Sequence, residues 1–98
     1  MVIVGGTFEV EPELREEFLA SRHELMRRSR AEKGCIEYTF SADPLDPGRV
    51  VLFERWDSQE DLDAHLVVLR AASTDAQPTV EAKSSSITIY DVTGERQL

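Results

Sequence analysis

The sequence predicts an α+β fold in the order βαββαβ, an antiparallel sheet with two helices on one face. Three observations carry it. Apolar residues alternate at period two in four separate segments, helical periodicity occupies two of the intervals between them, and a turn-rich hexapeptide joins the middle two segments as a hairpin. At 98 residues the chain has the size of one domain, and residues 1–98 are expected to form a single unit.

The first strand is expected from Val2 to Val10, with Val2, Val4, Phe8 and Val10 at even positions. Gly5 and Gly6 mark a bulge or a close approach within it. Pro12 suits a first helical turn, and Glu13, Glu16 and Glu17 stand where the helix dipole favours negative charge. Arg27, Arg28 and Arg30 occupy the opposite end and Gly34 follows as a C′ residue, so one helix is expected from about Pro12 to Glu32. Its buried face would carry Leu14, Phe18, Ser21 and Leu25, flanked by Leu19 and Met26.

Alternation resumes from Cys35 to Ser41, with Ile36, Tyr38 and Phe40 opposed to Glu37 and Thr39. The segment Asp43-Pro44-Leu45-Asp46-Pro47-Gly48 turns the chain into a third strand, Arg49 to Trp56. Ser58 is a good N-cap, and Leu62, Leu66 and Leu69 set a second helix from about Gln59 to Arg70. Ala71 to Ser86 reads as a polar connector broken by Pro78, with room for a helical turn near Thr79 to Lys83. Ile87 to Val92 is the last strand. With βαβ occurring twice, the order is that of a ferredoxin-like split βαβ fold.

The third strand is apolar on both faces, Val50, Leu52 and Trp56 against Val51 and Phe53. Two helices cover only one face of a four-stranded sheet, so the other needs a partner, and a second copy is the simplest cover. Burying Val51 and Phe53 would contribute roughly 1.5–3 kcal/mol per side chain before association entropy is subtracted. A homodimer is therefore expected. The formal charge of −8, from 19 acids and 11 bases, repels phosphate backbones and anionic lipid and argues against a nucleic-acid partner. No basic n-region precedes the apolar start and no apolar run reaches bilayer length, so a soluble, cytoplasmic chain is expected. The lone Cys35 allows no internal disulfide and suits a reducing compartment.

His65 stands on the border of the second helix's apolar stripe, facing the groove between helix and sheet. Imidazole there can shuttle a proton near neutral pH, or simply pack at the core boundary and bond a carbonyl. His23 lies on the solvent side of the first helix and receives no role. Trp56 ends the third strand, where an indole lines a pocket wall or plugs the core. Tyr38 and Tyr90 can offer hydroxyls to a ligand or serve as sheet packing. Glu54 shares strand parity with Trp56 and so projects into the same half-buried space, as a ligand contact or an ion-paired acid. Cys35, without a predicted base beside it, reads as a small packed residue. No glycine-rich phosphate loop, paired-cysteine site, histidine cluster or nucleophile elbow is present, so no flavin, nicotinamide or metal cofactor is expected.

The run Gly34-Cys35-Ile36-Glu37-Tyr38, followed by Glu54-Arg55-Trp56-Asp57-Ser58-Gln59-Glu60-Asp61-Leu62 and His65, resembles the antibiotic biosynthesis monooxygenase (ABM) family of the dimeric α/β-barrel superfamily. Phe8, Val10, Pro12 and Glu13 fit that family's opening, and the resemblance spans about Val2 to Val92. It implies a ferredoxin-like domain that dimerises through its sheets. It also implies a cofactor-independent monooxygenase of a small aromatic, polyketide or quinol, in which a bound substrate loses a proton and itself reduces dioxygen. On that reading His65 is the base, Trp56 and Tyr38 shape and hydrogen-bond the ligand, and Arg55 or Tyr90, facing inward, would help hold an oxyanion. Haem-degrading and polyketide-oxidising members rely on an active-site asparagine, and the chain contains none. This argues against haem degradation and leaves a polyketide role in need of another donor. A non-catalytic ligand-binding dimer, or an isomerase using Glu54, are the alternatives for the same groove.

Overall fold

Four antiparallel strands carry the chain in a computed structural model that describes residues 1–72 and 80–98. β1 is Val2–Glu9, β2 Cys35–Ala42, β3 Arg49–Trp56 and β4 Ser84–Asp91, in the spatial order β2-β3-β1-β4. β1 therefore lies between β3 and β4, the arrangement that two crossed βαβ units require. The fold class is the ferredoxin-like α+β one that the spacing predicts.

β3 matches its expected bounds and shows the cleanest alternation. Val50, Leu52, Glu54 and Trp56 are buried, while Arg49, Val51, Phe53 and Arg55 on the other face stay partly exposed. The buried face meets the helices, with Val2 and Val4 from β1, Tyr38 and Phe40 from β2, Phe18 and Leu62 from the helices, and Val10 and Val80. Phe8, Phe18 and Phe40 pack ring against ring with centroids 5.6–6.4 Å apart. Each large apolar side chain removed from water contributes about 1.5–3 kcal/mol, so this cluster is the main stabilising unit.

The single helix expected from Pro12 to Glu32 is divided. A 3-10 turn at Pro12–Leu14 leads into α1, Arg15–Ala20, and α2 runs from His23 to Arg30. The break has a local cause. The Ser21 hydroxyl donates back to the Phe18 carbonyl at 2.6 Å, and the Arg22 N–H bonds Leu19 in a tightened turn before Met26 resumes the α pattern on Arg22. Arg22 then lays its guanidinium over the Phe18 ring at 4.2 Å. Phe18 is buried as expected, whereas Leu14 is not.

The bulge falls elsewhere than predicted. β1 keeps an unbroken register with both neighbours through Gly5 and Gly6, and the irregularity sits in β2 between Cys35 and Glu37. It turns Ile36 outward and sets Cys35 opposite Trp56, so Ile36 leaves the face of Tyr38 and Phe40. Gly6 instead serves close approach, since a Cβ there would lie 3.0 Å from Ile87 Cγ1 and 3.1 Å from the Ser86 carbonyl.

α3 spans Gln59–Ala72, close to its expected range. Pro78 and Thr79 lie outside the described residues. From Val80 to Lys83 the chain is not helical, and β4 opens at Ser84, three residues before the expected strand. Its serines pair with Thr7, Phe8 and Glu9 through backbone alone, which no apolar pattern announces. β4 is exposed along its length: Ile87 and Ile89, in register with Gly6 and Val4 on the helix side, remain about half exposed.

Candidate active site

Three elements meet at His65. α3 is started by Ser58, whose hydroxyl accepts the Asp61 N–H at 3.2 Å and donates to the Asp61 carboxylate at 3.0 Å. One turn later the helix presents His65 to the sheet. Trp56 comes from the end of β3 on the buried face, and Tyr38 from β2 directly beside it. The imidazole packs on the Trp56 indole with centroids 4.8 Å apart and planes tilted 35°, and meets the Tyr38 ring edge-on at 5.3 Å.

A fourth residue completes the cluster. Glu32, in the turn after α2, places Oε1 2.6 Å from His65 Nδ1. An ionised carboxylate can only accept, so Nδ1 carries the proton and Nε2 of the neutral ring holds the lone pair. This is the geometry by which an acid orients a histidine base. Gly34 makes the turn that brings Glu32 here. It adopts φ +82°, a left-handed conformation natural to glycine, its carbonyl accepts the Asp57 N–H at 2.8 Å, and its Cα faces the Asp61 carboxylate so closely that any Cβ would collide with it.

The cluster is dry on its inner side. Trp56, Tyr38 and His65 are 0, 2 and 3% exposed. Beneath the indole lies Glu54, itself buried, whose Oε1 accepts the Trp56 Nε1–H at 2.9 Å. Burial pushes the Glu54 carboxyl above the ordinary glutamate range and Glu32 adds to this, while the indole hydrogen bond and His65 oppose it. Burial, reinforced by the Glu54 carboxylate, likewise raises the Tyr38 phenol, so its hydroxyl keeps its proton at neutral pH. Desolvation and the nearby Glu32 and Glu54 raise the Cys35 thiol, which gives it the character of a packed side chain rather than a thiolate nucleophile.

On the outer side a groove of about 350 Å³ opens between the Glu32–Lys33 turn and α3, lined also by Glu60, Asp61, Ala64, His65 and Val68. Only His65 of the predicted residues reaches it. Trp56 and Tyr38 stand behind the imidazole instead of lining a shared cavity, because both fill the space between α3 and the sheet. Glu54 is a further layer down. Arg55 and Tyr90 lie elsewhere: strand alternation puts them on the opposite face of the sheet, both level with Ile3. There Arg55 pairs with Glu37 at 3.3 Å and Glu95 at 3.9 Å, and Tyr90 is more than half exposed. Neither can hold an oxyanion at His65 of the same protomer. Among the described residues no group of three or more His, Cys, Asp or Glu side chains is arranged to hold a metal ion.

The model of the antibiotic biosynthesis monooxygenase family matches residues 1–67. The chain belongs to this family. A Synechocystis protein described only as uncharacterized is 32% identical over 92 residues, which cover 93% of this chain and 63% of that protein. The chain thus spans under two thirds of that relative's length. YcnE of Bacillus subtilis, named as a proposed monooxygenase, is 31% identical over 65 residues, 66% of this chain and 68% of its own. Among solved structures, a proposed antibiotic biosynthesis monooxygenase from Deinococcus radiodurans superposes with a TM-score of 0.85 at 25% identity, over 100% of this chain and 98% of that one. The ABM match runs from β1 into α3, so it includes Glu32, Tyr38, Glu54, Trp56 and His65, while β4 with Tyr90 lies beyond it.

Glu32 is the site residue that sequence reasoning missed. One signal was available: it is an acid just beyond the basic last turn of α2, where the helix dipole disfavours negative charge. A residue placed against the local field is held by something outside the helix, here His65.

Proposed function

We propose that this ABM protein is a cofactor-independent monooxygenase that oxidises a small aromatic, polyketide or quinol substrate with dioxygen, with His65 as its base. The observation that carries this reading is the 2.6 Å contact between His65 Nδ1 and Glu32 at the wall of the groove. With Nδ1 committed to the carboxylate, Nε2 is the nitrogen that exchanges a proton with a bound molecule, and Glu32 compensates the imidazolium that forms. For an activated methylene the balance is SH2 + O2 → S=O + H2O. His65 takes a carbon-bound proton, the carbanion supplies its electrons to dioxygen, and the resulting peroxide anion takes the proton back from the imidazolium as a carbon-bound hydroperoxide. Removal of the second carbon-bound proton by the neutral imidazole, with O–O cleavage, gives the carbonyl, and the departing hydroxide takes that proton from the imidazolium and leaves as water. Ala64 and Val68 offer the apolar wall for the ring, and Trp56 and Tyr38 keep the back of the imidazole dry.

The same reading includes a cytoplasmic homodimer in which residues 1–98 act as one domain and the product enters an antibiotic-type biosynthesis. Support for pairing comes from the helix-free face of the sheet, where Val51 and Phe53 are only partly covered, and from the half-exposed Ile87, Ile89 and Tyr90 of β4. The deep burial of Glu54 under Trp56 disfavours the isomerase alternative, since that acid has no path to a ligand in the groove.

The test is oxygen uptake by chelator-treated, flavin-free protein over a panel of anthrones and hydroquinones, with labelled dioxygen. One labelled atom in the product per O2 consumed is the expected result. Tight binding of these compounds without uptake would replace the oxygenase by a ligand-binding dimer, and product formation without oxygen would point to an isomerase.

A further inference from the structure

Glu54 is a buried acid that the oxygenase reading leaves idle. It is 5% exposed, and the hydrogen bond it accepts comes from Trp56, its neighbour two residues along β3. That indole has one donor, Nε1–H, and it is spent on Glu54. The far face of the contact is the imidazole stack at 4.8 Å. The hydrogen bond at its nitrogen opposes rotation of the tryptophan about its side-chain bonds, so the plane against which His65 packs is steadied from below by a carboxylate.

Resting on the oxygenase reading above, we infer that Glu54 is a positioning residue for His65: it acts through the Trp56 indole, which it pins against the imidazole, and its carboxylate gives the imidazolium a second acidic neighbour opposite Glu32. The charged and titratable groups around His65 are Glu32 and Lys33 from the turn after α2, Cys35 and Tyr38 from β2, Glu54 from β3, and Glu60 and Asp61 from its own helix. Of these, Glu32 holds the ring through Nδ1, and Glu54 holds the indole on which the ring packs. A buried acid with no path to the groove would otherwise be a net destabilising element, since burial of a carboxylate without full compensation is unfavourable.

The chain contains one tryptophan, so its fluorescence reports this stack directly, and imidazolium in contact quenches indole emission. Wild-type protein should show a pH-dependent fluorescence step, abolished in His65→Gln. Glu54→Gln keeps an acceptor for Nε1–H and loses the charge. It should retain the step's amplitude, move it to lower pH, and keep kcat within about threefold. Glu54→Leu removes the acceptor. It should lose most of the step and lower kcat about tenfold or more with KM unchanged. A Glu54→Leu protein with the wild-type step and kcat would overturn the inference. Should that variant fail to fold by circular dichroism, Glu54→Gln decides alone: an unmoved step overturns the inference and the shifted step sustains it. The fluorescence arms need no substrate. A protein that shows the coupled stack and consumes no oxygen contradicts only the oxygenase reading.

Discussion

Replacing Gly34 by alanine should damage both the fold and the site, by an amount that follows from two separate contacts. Gly34 holds φ +82°, and an L side chain in the left-handed region costs roughly 1–2 kcal/mol. The new Cβ would also enter the Asp61 carboxylate, lying 2.7 Å from Asp61 Cβ and nearer still to its terminal atoms. Asp61 must then move, breaking its reciprocal bonds with Ser58 at the start of α3, and loss of such a cap costs about 0.5–2 kcal/mol. Together the loss is about 1.5–4 kcal/mol. For a chain near 100 residues each kcal/mol lowers Tm by roughly 4–8 °C, so a fall of about 6 °C or more is expected. Urea and thermal unfolding at one fixed protein concentration give the number, the concentration being fixed because self-association would itself shift Tm. Asp61→Ala separates the parts: in the Gly34→Ala/Asp61→Ala double variant the contacts with the carboxylate are gone and only the 2.7 Å contact with the Cβ of residue 61 remains, so its loss should be smaller than the sum of the single losses. A Gly34→Ala loss below about 0.5 kcal/mol, or strict additivity in the double variant, would show that neither contact constrains this turn.

Three further outcomes are expected. Glu32→Gln keeps a side chain of the same shape beside His65 and removes the charge that compensates the imidazolium, so kcat with an active substrate should fall about 10- to 100-fold with little change in stability, measured by steady-state oxygen uptake and urea unfolding. Glu54, raised by burial, keeps its proton longer in the folded chain than in the unfolded one. Its contribution is therefore most favourable below the ordinary glutamate range and declines as pH rises through the raised folded value, so stability relative to Glu54→Gln should drop as pH is raised from the ordinary glutamate range upward in paired urea titrations. Phe53→Glu places a charge on the helix-free face of β3 and should convert a dimer into monomer by sedimentation or light scattering without unfolding the protomer; wild-type protein that is monomeric at micromolar concentration would remove the pairing proposal.

The strands and α3 were legible in the sequence because a half-buried strand must alternate and a capped helix must repeat. β3 shows this most clearly, since its eight residues divide between the two faces as their parity requires. Parity also governed the fate of Arg55: it belongs with Val51 and Phe53, and so lies away from His65. The features that escaped are those set by single hydrogen bonds and by neighbours distant in sequence. The helix break depends on which way the Ser21 hydroxyl turns, and the bulge at Ile36 on the fit of β2 to β3. Ser84 to Ser86 join β4 through backbone pairing that side-chain pattern does not encode. At the site, the meeting of His65, Trp56 and Tyr38 was readable from faces and periodicity. Their order in depth was not, because it depends on how tightly α3 settles on the sheet, and the partner Glu32 is 33 residues from His65 in sequence.

The most direct test of the account is oxygen consumption by wild-type protein, by His65→Ala, and by His65→Ala with added imidazole, using one anthrone or hydroquinone that the wild type oxidises. If His65 is the base backed by Glu32, the alanine variant should lose about 10²- to 10⁴-fold in kcat while still binding substrate, and free imidazole should restore part of the rate in proportion to its neutral form. Wild-type kcat in His65→Ala would contradict the account.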